Sequence, residues 1–382
     1  MNKINVVKIQ RILKTQLLDD LLNSGKVIVL YGPRQAGKTT LSKMVIEETR
    51  LKSLIINADQ LKYIDVLSSR DLALLQSLVS GYQLLFIDEG QRVPEIGINL
   101  KILHDELPEL KVLVTGSSSF LLSDRVTEAL TGRKTVHTLL PVSMGELALD
   151  QNAFELNDQL EERMIFGMYP EVITLKNHKE KEAYLREITT SYLYKDILEL
   201  ENIRYPLKIR DLLRLLAYQV GSQVSIHELC NHLKLNRETV ERYLFLLEQS
   251  FIIFRVNAFS RNPRNEISKS QKYYFYDNGI RNVLIDNLST LQVRNDAGSL
   301  WEGFIIAERK KKLMYAQKHV NTFFWRTYSG AEIDIVEETG NSLVAFEIRY
   351  KKPRLKAPKA WVDYYGDNYH CITKDNYLEF VV

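Results

Sequence analysis

The sequence predicts an α/β fold, a parallel sheet with helices on both faces, and three observations predict it. Short apolar segments alternate with segments of helical pattern through residues 1–150. One of them, KVIVLY (26–31), runs into GPRQAGKT (32–39), which fits the phosphate-binding pattern G-x-x-x-x-G-K-[ST] and is followed by a helical segment. Another, QLLFIDE (83–89), ends in two acids. We therefore expect a three-layer sandwich whose first strand leads into a phosphate-binding loop.

The loop predicts a site for a nucleoside triphosphate. Backbone N–H groups and the N-terminus of the next helix would surround phosphate oxygens. Lys38 would reach the β- and γ-phosphates, and the Thr39 hydroxyl would ligate Mg²⁺. Arg34 is either a further phosphate contact or a solvent-facing loop residue. The residues expected to bind the nucleotide are Gly32, Pro33, Arg34, Gln35, Ala36, Gly37, Lys38, Thr39 and Thr40.

Polar side chains after two further apolar segments predict the catalytic part of this site. Asp88 would hold Mg²⁺, directly or through water, and Glu89 would polarise the attacking water. Ser117 follows KVLVTG (111–116) and would sense the γ-phosphate or orient that water. The alternative for the acids is a strand end or helix cap, and a serine-rich turn also caps helices well.

Size and composition restrict the class of protein. The chain has 382 residues, enough for two or three domains, with 45% apolar and 26% charged residues, as in globular proteins. No apolar run approaches the roughly 20 residues of a membrane span, and the charged N-terminus has no signal-peptide core, so we expect a cytoplasmic protein. Cys230 and Cys371 suggest neither a disulfide framework nor a metal site. A net charge of +3 is too small to argue for nucleic acid.

Residues 207–284 predict a winged helix-turn-helix. An apolar helix is followed by SIHELCNHLKL (225–235) and NRETVERYLFLLEQ (236–249), two capped helices joined by a short turn, and then by a strand. In DNA-binding versions the second helix, here with Arg237 and Arg242, enters the major groove. A contact module for proteins is the alternative, because Glu238 and Glu241 would face phosphates unfavourably. The basic residues of the predicted wing are Arg255, Arg261, Arg264, Lys269 and Lys272.

The last hundred residues predict a helix followed by a β-hairpin with an acidic set. Glu302 in the helix, Asp334, and Glu347-x-Arg349 look like the PD-(D/E)xK core of restriction-endonuclease-like proteins, in which the acids bind Mg²⁺ and a lysine helps to activate water. Arg349 stands where lysine is expected, and arginine does not give up a proton. Lys351, on the same strand face, is a partial substitute. An active nuclease and a non-catalytic module of this fold both remain open.

Motifs along nearly the whole chain carry a family resemblance. They are LTGR (130–133), LLPVSMGEL (139–147), MYPEV (168–172), SYLYKDI (191–197), ETVERYLFLLEQSFII (238–253), KSQKYYFYDNGIRN (269–282) and WEGFIIAE (301–308). In combination they resemble the bacterial and archaeal AAA+ ATPases in which an AAA domain is joined to a DUF4143 domain. The resemblance implies a homo-oligomeric ring, such as a hexamer, in which Arg133 reaches a neighbour's γ-phosphate. From the residues alone, Arg133 also fits a surface arginine.

We therefore expect four parts and a Mg²⁺-dependent ATPase. The parts are an AAA+ core with an N-terminal helix (1–150), a helical linker or lid (151–206), the winged helix-turn-helix (207–284) and the PD-(D/E)xK-like domain (285–382). Three uses of ATP hydrolysis remain open. They are binding or remodelling of duplex or branched DNA, an ATP-gated nuclease, and an interaction switch between proteins without nucleic acid.

Overall fold

The structure is a computed structural model that describes residues 9–116, 129–192, 205–261 and 270–382. Contacts divide the chain into an N-terminal unit, which runs to Pro141, and a C-terminal unit, which begins at Val142 and holds nearly all later residues. In the described ranges, no helix combines the length and the apolar composition that crossing a membrane requires.

The N-terminal unit contains one five-stranded parallel sheet in the order β2-β3-β4-β1-β5. Its strands are β1 (Val27–Tyr31), β2 (Ser53–Asn57), β3 (Leu84–Asp88), β4 (Lys111–Gly116) and β5 (Lys134–Thr138). Its helices are α1 (Leu13–Asn23), α2 (Lys38–Thr49), α3 (Leu61–Leu67), α4 (Leu72–Val79) and α5 (Ile96–Glu106), with a 3₁₀ turn at Gly90–Arg92. The predicted α/β fold with a parallel sheet is confirmed.

Burial explains why these segments fold as strands and helices. All five residues of β1 are buried, as is usual for a parallel strand covered on both faces. In α1 the buried residues are Leu13, Leu17 and Leu21, spaced by four, so one helix face packs against α2 and β1. Because every strand is parallel, β1, β3 and β4 end at the same edge of the sheet. That edge carries the predicted nucleotide site.

The C-terminal unit begins with short helices and then builds a second sheet. Its helices are α6 (Met144–Leu147), α7 (Ala153–Asp158), α8 (Leu160–Phe166), α9 (Pro170–Thr174), α10 (His178–Glu187), α11 (Pro206–Tyr218), α12 (Ile226–Leu233), α13 (Arg237–Gln249), α14 (Asn278–Leu284), α15 (Ala297–Tyr315), α16 (Lys359–Tyr365) and α17 (Tyr377–Val381), with a π-helical turn at Ile188–Tyr192. Its strands are β6 (Gln223–Val224), β7 (Ile253–Phe259), β8 (Gln271–Phe275), β9 (Asn321–Arg326), β10 (Glu332–Thr339), β11 (Ser342–Ile348) and β12 (Tyr369–Ile372).

The predicted helix pair at residues 225–249 is present as α12 and α13. The Ser225 hydroxyl accepts a hydrogen bond from the N–H of Glu228 and caps α12. Lys234 ends α12 with a left-handed φ of 54°, and the Asn236 side chain accepts from the N–H of Thr239 at the start of α13. Strands β7 and β8 then pair antiparallel. Arg264 and Lys269 lie outside the described residues.

One seven-stranded sheet, in the order β12-β11-β10-β9-β7-β8-β6, holds every described strand of the C-terminal unit. One part of the sheet is formed by β6, β7 and β8 and the other by β9 to β12. The two parts are joined where β7 and β9 pair parallel, with Asn257 opposite Phe323 and Phe259 opposite Trp325. The sheet therefore runs across the boundary that the sequence predicts between residues 284 and 285. The β-hairpin that the sequence predicts in the last hundred residues is present as β10 and β11.

Replacing Gly32 with alanine is expected to destabilise the N-terminal unit. Gly32 has a φ of +148°, and an added Cβ would lie 1.9 Å from the carbonyl oxygen of Leu139. Gly25 has a φ of +66° but no atom within 4 Å of such a Cβ, so Gly25→Ala is a control with backbone strain alone. Strain of this kind costs on the order of 1–3 kcal/mol. In urea denaturation, Gly32→Ala should lose clearly more free energy of unfolding than Gly25→Ala, and equal losses would contradict the close approach.

Candidate active site

The loop between β1 and α2 has the backbone of a phosphate-binding loop. Gly32, Gln35 and Gly37 take φ values of 148°, 61° and 95°, so the chain turns sharply three times in six residues. Gly37 directly precedes α2 and has no side chain to block the helix N-terminus. A loop with these turns directly before a helix N-terminus is of the kind that can offer backbone N–H groups to an anion.

Lys38 lies inside the curve of this loop. Its side chain is 5% exposed, and its ammonium group donates hydrogen bonds to the carbonyl oxygens of Gly32, at 2.8 Å, and Pro33, at 2.9 Å. Burying an ammonium group is costly unless acceptors compensate it, and these two carbonyls do so. The same ammonium can exchange them for phosphate oxygens by rotation of its side chain.

Thr39 and Asp88 are in direct contact, which ties α2 to the end of β3. The Thr39 hydroxyl lies 3.0 Å from Oδ1 and 2.8 Å from Oδ2 of Asp88. From the end of β4, the fully buried Thr115 hydroxyl donates to Oδ1 of the same carboxylate at 2.5 Å. Thr115 is not among the residues that the sequence predicts for this site. The only local signal for it was its position at the end of an apolar strand beside the one that carries Asp88.

Glu89 is held in a defined orientation next to this group. Its φ of 57° is left-handed, which is uncommon for a residue other than glycine, asparagine or aspartate. The N–H of Glu89 donates to the Thr115 hydroxyl at 3.2 Å, and the Gln91 side-chain amide donates to Oε2 of Glu89 at 2.5 Å. Thr115 therefore holds the backbone and Gln91 the carboxylate of Glu89, the residue predicted to polarise water.

Arg11, just before α1, braces the phosphate loop. Its guanidinium group donates to the carbonyl oxygen of Ala36, inside the loop, at 2.7 Å and to that of Leu140 at 2.6 Å. Arg11 is 7% exposed. Nothing in the sequence of residues 9–13 marks this arginine as a partner of a loop 25 positions away.

The remaining predicted residues lie in three kinds of place. Pro33 and Ala36 are buried, Arg34 is half-buried, and Gln35 and Thr40 are exposed. Arg133 precedes β5 at the opposite edge of the sheet, where its carbonyl accepts from Val27 at the start of β1. Its guanidinium Nε lies 2.7 Å from the Asp105 carboxylate, and this contact lowers the pKa of Asp105. Ser117 lies outside the described residues.

The residues at the sheet edge fit ATP and Mg²⁺. Asp88 and Thr39 are oxygen ligands of the kind that Mg²⁺ prefers, and they already meet at hydrogen-bond distance. Lys38 lies within the loop whose backbone would take the phosphates. When bound, Mg²⁺ would neutralise charge on the phosphates, and Thr39 and Asp88 are the residues that would hold it.

The second predicted set, in the C-terminal unit, is also brought together. Asp334 (β10) and Glu347 (β11) are 7% and 0% exposed, and the half-buried Glu302 comes from α15. Burial and the charges of Glu302 and Glu347 raise the pKa of Asp334 well above its usual range. Arg349 forms an ion pair with Glu347. Among the described residues, no group of three or more His, Cys, Asp or Glu side chains is positioned to hold a metal ion.

Lys272, on β8, enters this acidic set. It was predicted as a basic residue of an exposed wing, but it is 1% exposed, and its ammonium group lies 2.6 Å from Glu332 and 3.5 Å from Glu302. Burial acts to lower the pKa of Lys272, but Glu302, Glu332 and Asp334 together outweigh it and raise that pKa. The lysine, predicted as a basic residue of the wing, is therefore a buried cation among acids, because the sheet continues past it.

Arg11→Ala is expected to weaken nucleotide binding. Hydrogen bonds to charged groups contribute about 1.5–3 kcal/mol each, and loss of the brace frees the Ala36 end of the loop, so affinity for a fluorescent ATP analogue should fall roughly tenfold or more. Arg11→Lys keeps the charge but not the two-pronged geometry, and we expect an intermediate affinity. Unchanged affinity in a folded Arg11→Ala protein would contradict a role for Arg11 in positioning the loop.

Three family models match the chain. One described as an AAA domain covers residues 24–148, and two described as domains of unknown function, DUF8612 and DUF4143, cover residues 157–291 and 297–376. Among solved structures, a Walker-type ATPase of Pyrococcus abyssi aligns with a TM-score of 0.50 at 16% identity, over 72% of this chain and 96% of that one. That likeness concerns the fold alone.

Two bacterial and archaeal relatives extend over most of the chain. An uncharacterized protein of Mycobacterium tuberculosis is 29% identical over 332 residues, which are 86% of this chain and 71% of that protein. An uncharacterized protein of Methanocaldococcus jannaschii is 27% identical over 306 residues, 75% of this chain and 67% of that protein. The AAA and DUF4143 matches confirm the combination of domains that the motifs predict, and the relatives show that similar chains occur in bacteria and archaea.

Proposed function

We propose that the chain binds ATP with Mg²⁺ and hydrolyses it to ADP and phosphate. One observation carries the proposal: the Thr39 hydroxyl contacts the Asp88 carboxylate at the sheet edge where the phosphate loop begins. These are the two protein ligands that a phosphate-loop NTPase uses for Mg²⁺. The AAA domain match over residues 24–148 supports the same function.

Each residue of the site has a separate task in this function. Lys38 contacts the β- and γ-phosphates and offsets the charge that develops on them. Asp88 and Thr39 hold the magnesium ion, while Thr115 keeps the Asp88 carboxylate in place. Glu89 orients the attacking water and takes its proton as the bond to the γ-phosphorus forms. The bridging oxygen leaves with ADP.

Arg133 and an oligomer belong to the same proposal. Strands β1 and β5 run parallel, from Val27 opposite Lys134 to Tyr31 opposite Thr138. Arg133 lies just before the start of β5, whereas the phosphate loop follows the end of β1, so the two lie at opposite ends of this strand pair. A contact with the γ-phosphate therefore requires the nucleotide of a second copy. We propose a homo-oligomer, with a hexameric ring as one form, in which Arg133 exchanges Asp105 for that phosphate.

Lys38→Ala should abolish nucleotide binding, and Glu89→Gln should leave binding intact but stop turnover. Lys38→Ala removes the ammonium group that lies inside the phosphate loop. Glu89→Gln removes the carboxylate that would accept the proton but keeps the shape of the side chain. Binding of a fluorescent ATP analogue and release of phosphate measure the two steps, with melting temperature as the control for folding. Hydrolysis by Glu89→Gln at the wild-type rate would show that the assignment of the base is wrong.

For the C-terminal unit we infer the two folds that the sequence suggests. Helices α12 and α13 with β6, β7 and β8 have the order of a winged helix-turn-helix. Helix α15 followed by β9, β10 and β11, with Asp334 and Glu347 on neighbouring strands, has the order of a PD-(D/E)xK core. Both folds are common in proteins that contact nucleic acid. We therefore propose DNA as the partner on which ATP hydrolysis acts.

One observation favours DNA and another opposes it. Residues 351–356 are all exposed, and Lys351, Lys352 and Lys356 form a surface suited to phosphates, whereas Arg354 in the same run pairs with Glu347. In contrast, arginines of the helix pair and wing are matched with acids: Arg237 with Glu241, and Arg255 with Glu248. We therefore place the DNA contact at the basic run rather than at α13.

Binding of duplex or branched DNA should weaken steeply with salt and depend on Lys351, Lys352 and Lys356. Each phosphate contact contributes a slope of about −0.9 in log K against log salt on duplex DNA, so the triple alanine variant should lower the slope by up to about three. A gel-shift series from 50 to 200 mM salt, with and without ATP, measures it.

A matched control removes the same charge elsewhere on the C-terminal unit. Lys176, Lys179 and Lys318 are also exposed, and their triple alanine variant should bind DNA as the wild type does. Equal losses in the two triple variants would mean that net charge alone acts, and absence of binding at 50 mM salt would rule out the DNA contact.

A further inference from the structure

The acidic set around Asp334 contains its own cation, and the contacts show how that cation is held. Lys272 extends from β8 to β10, where its ammonium group lies 2.6 Å from Oε1 of Glu332. The same group is 3.5 Å from Oε1 of Glu302 on α15 and 5.2 Å from the centre of the Phe324 ring. With 1% exposure, Lys272 has replaced its water shell with carboxylates and an aromatic face.

The three acids predicted to bind Mg²⁺ each have one oxygen committed to protein donors. Oε1 of Glu302 accepts from the Tyr274 hydroxyl at 2.7 Å, and Oδ2 of Asp334 accepts from the Ile348 N–H at 2.8 Å. Oε1 of Glu347 accepts hydrogen bonds from the guanidinium groups of both Arg349 and Arg354. The second oxygen of each acid has no hydrogen-bond donor among the described residues.

The clearest of these second oxygens belongs to Glu347. This side chain is 0% exposed, and its Oε2 is buried without any partner in the described part of the chain. A buried carboxylate oxygen without a donor is unfavourable, unless a cation or a water reaches it. Uncommitted carboxylate oxygens on neighbouring strands are the ligands that hard divalent cations take. Yet the acids are not spaced for a metal ion.

We propose that the Lys272 ammonium group occupies the place of a divalent cation in this acidic set, so that the C-terminal unit holds a latent metal site that the lysine closes. A second cation in the same set would be repelled by the ammonium group. The ammonium group also pulls Glu302 and Glu332 toward itself, which explains why the acids are not collected around one point. Arg349, which stands where a nuclease would have lysine, pairs with Glu347 and reinforces the closed state.

This inference does not depend on ATP hydrolysis, and it decides between two predicted uses of the C-terminal unit. With Lys272 in place, the proposal excludes metal-dependent cleavage at this set and favours the non-catalytic module. Removal of the lysine should open the site to Mn²⁺ or Mg²⁺, since Glu302, Glu332 and Asp334 would then lack the buried ammonium group, while Glu347 would keep Arg349 and Arg354.

The test measures Mn²⁺ binding by the full chain, by calorimetry and electron paramagnetic resonance. All proteins carry Asp88→Asn, which removes the ligand at the phosphate loop, so that any bound Mn²⁺ reports on the C-terminal unit. In this background we expect no specific Mn²⁺ binding. Adding Lys272→Met should create one site per chain, and adding Asp334→Asn to that variant should abolish it. Lys272→Arg keeps a cation and should create none.

Three outcomes would overturn the proposal. The first is binding of Mn²⁺ in the Asp88→Asn background that is lost on Asp334→Asn, because metal and lysine would then coexist. The second is a folded Lys272→Met protein that takes up no Mn²⁺. Since repulsion among the acids could unfold the Lys272→Met variant, its melting temperature is followed from 0.1 to 10 mM Mn²⁺, where a stepwise rise supports the proposal by linkage.

The double variant Lys272→Met with Glu332→Gln carries less repulsion among the acids and should bind Mn²⁺ too. Failure of that folded double variant to bind would also overturn the proposal.

Discussion

The contact between Thr39 and Asp88 joins the two halves of the nucleotide site, and the parallel sheet makes it possible. In a parallel sheet the ends of β1, β3 and β4 lie at one edge, so a loop after β1, an acid at the end of β3 and a hydroxyl at the end of β4 meet without any further device. Neighbouring groups then restrict this meeting point. Arg11 fixes the back of the loop, and Gln91 fixes Glu89.

The sequence predicts the central part of this site because its signals are local. The glycine-rich loop GPRQAGKT, between an apolar strand and a helix, has eight residues, and the acidic pair ends the seven-residue segment QLLFIDE. Both signals depend on backbone geometry that the neighbouring residues determine. The fold of the N-terminal unit could be predicted for the same reason, since alternation of apolar strands and helices leaves few arrangements other than a parallel sheet.

The sequence does not predict groups whose role depends on distant parts of the chain. Arg11, Thr115 and Gln91 are ordinary residues until tertiary structure places them against Ala36, Asp88 and Glu89. Lys272 shows the opposite error. Its neighbours in sequence suggest a basic wing. However, β8 belongs to a sheet that also contains strands from residues 321–348, and Lys272 is buried among the acids of those strands instead of contributing to a basic surface.

The parallel pair of β7 and β9 also concerns how the C-terminal unit can be divided. Two family models meet between residues 291 and 297, and both regions contribute strands to one sheet. A truncation at that point would strip β7 of its neighbour along Asn257–Phe259 and leave a row of backbone N–H and C=O groups open to strand exchange with other chains. The two regions therefore share one sheet, and a gene fragment that encodes either of them alone would leave an exposed strand edge of the kind through which chains associate.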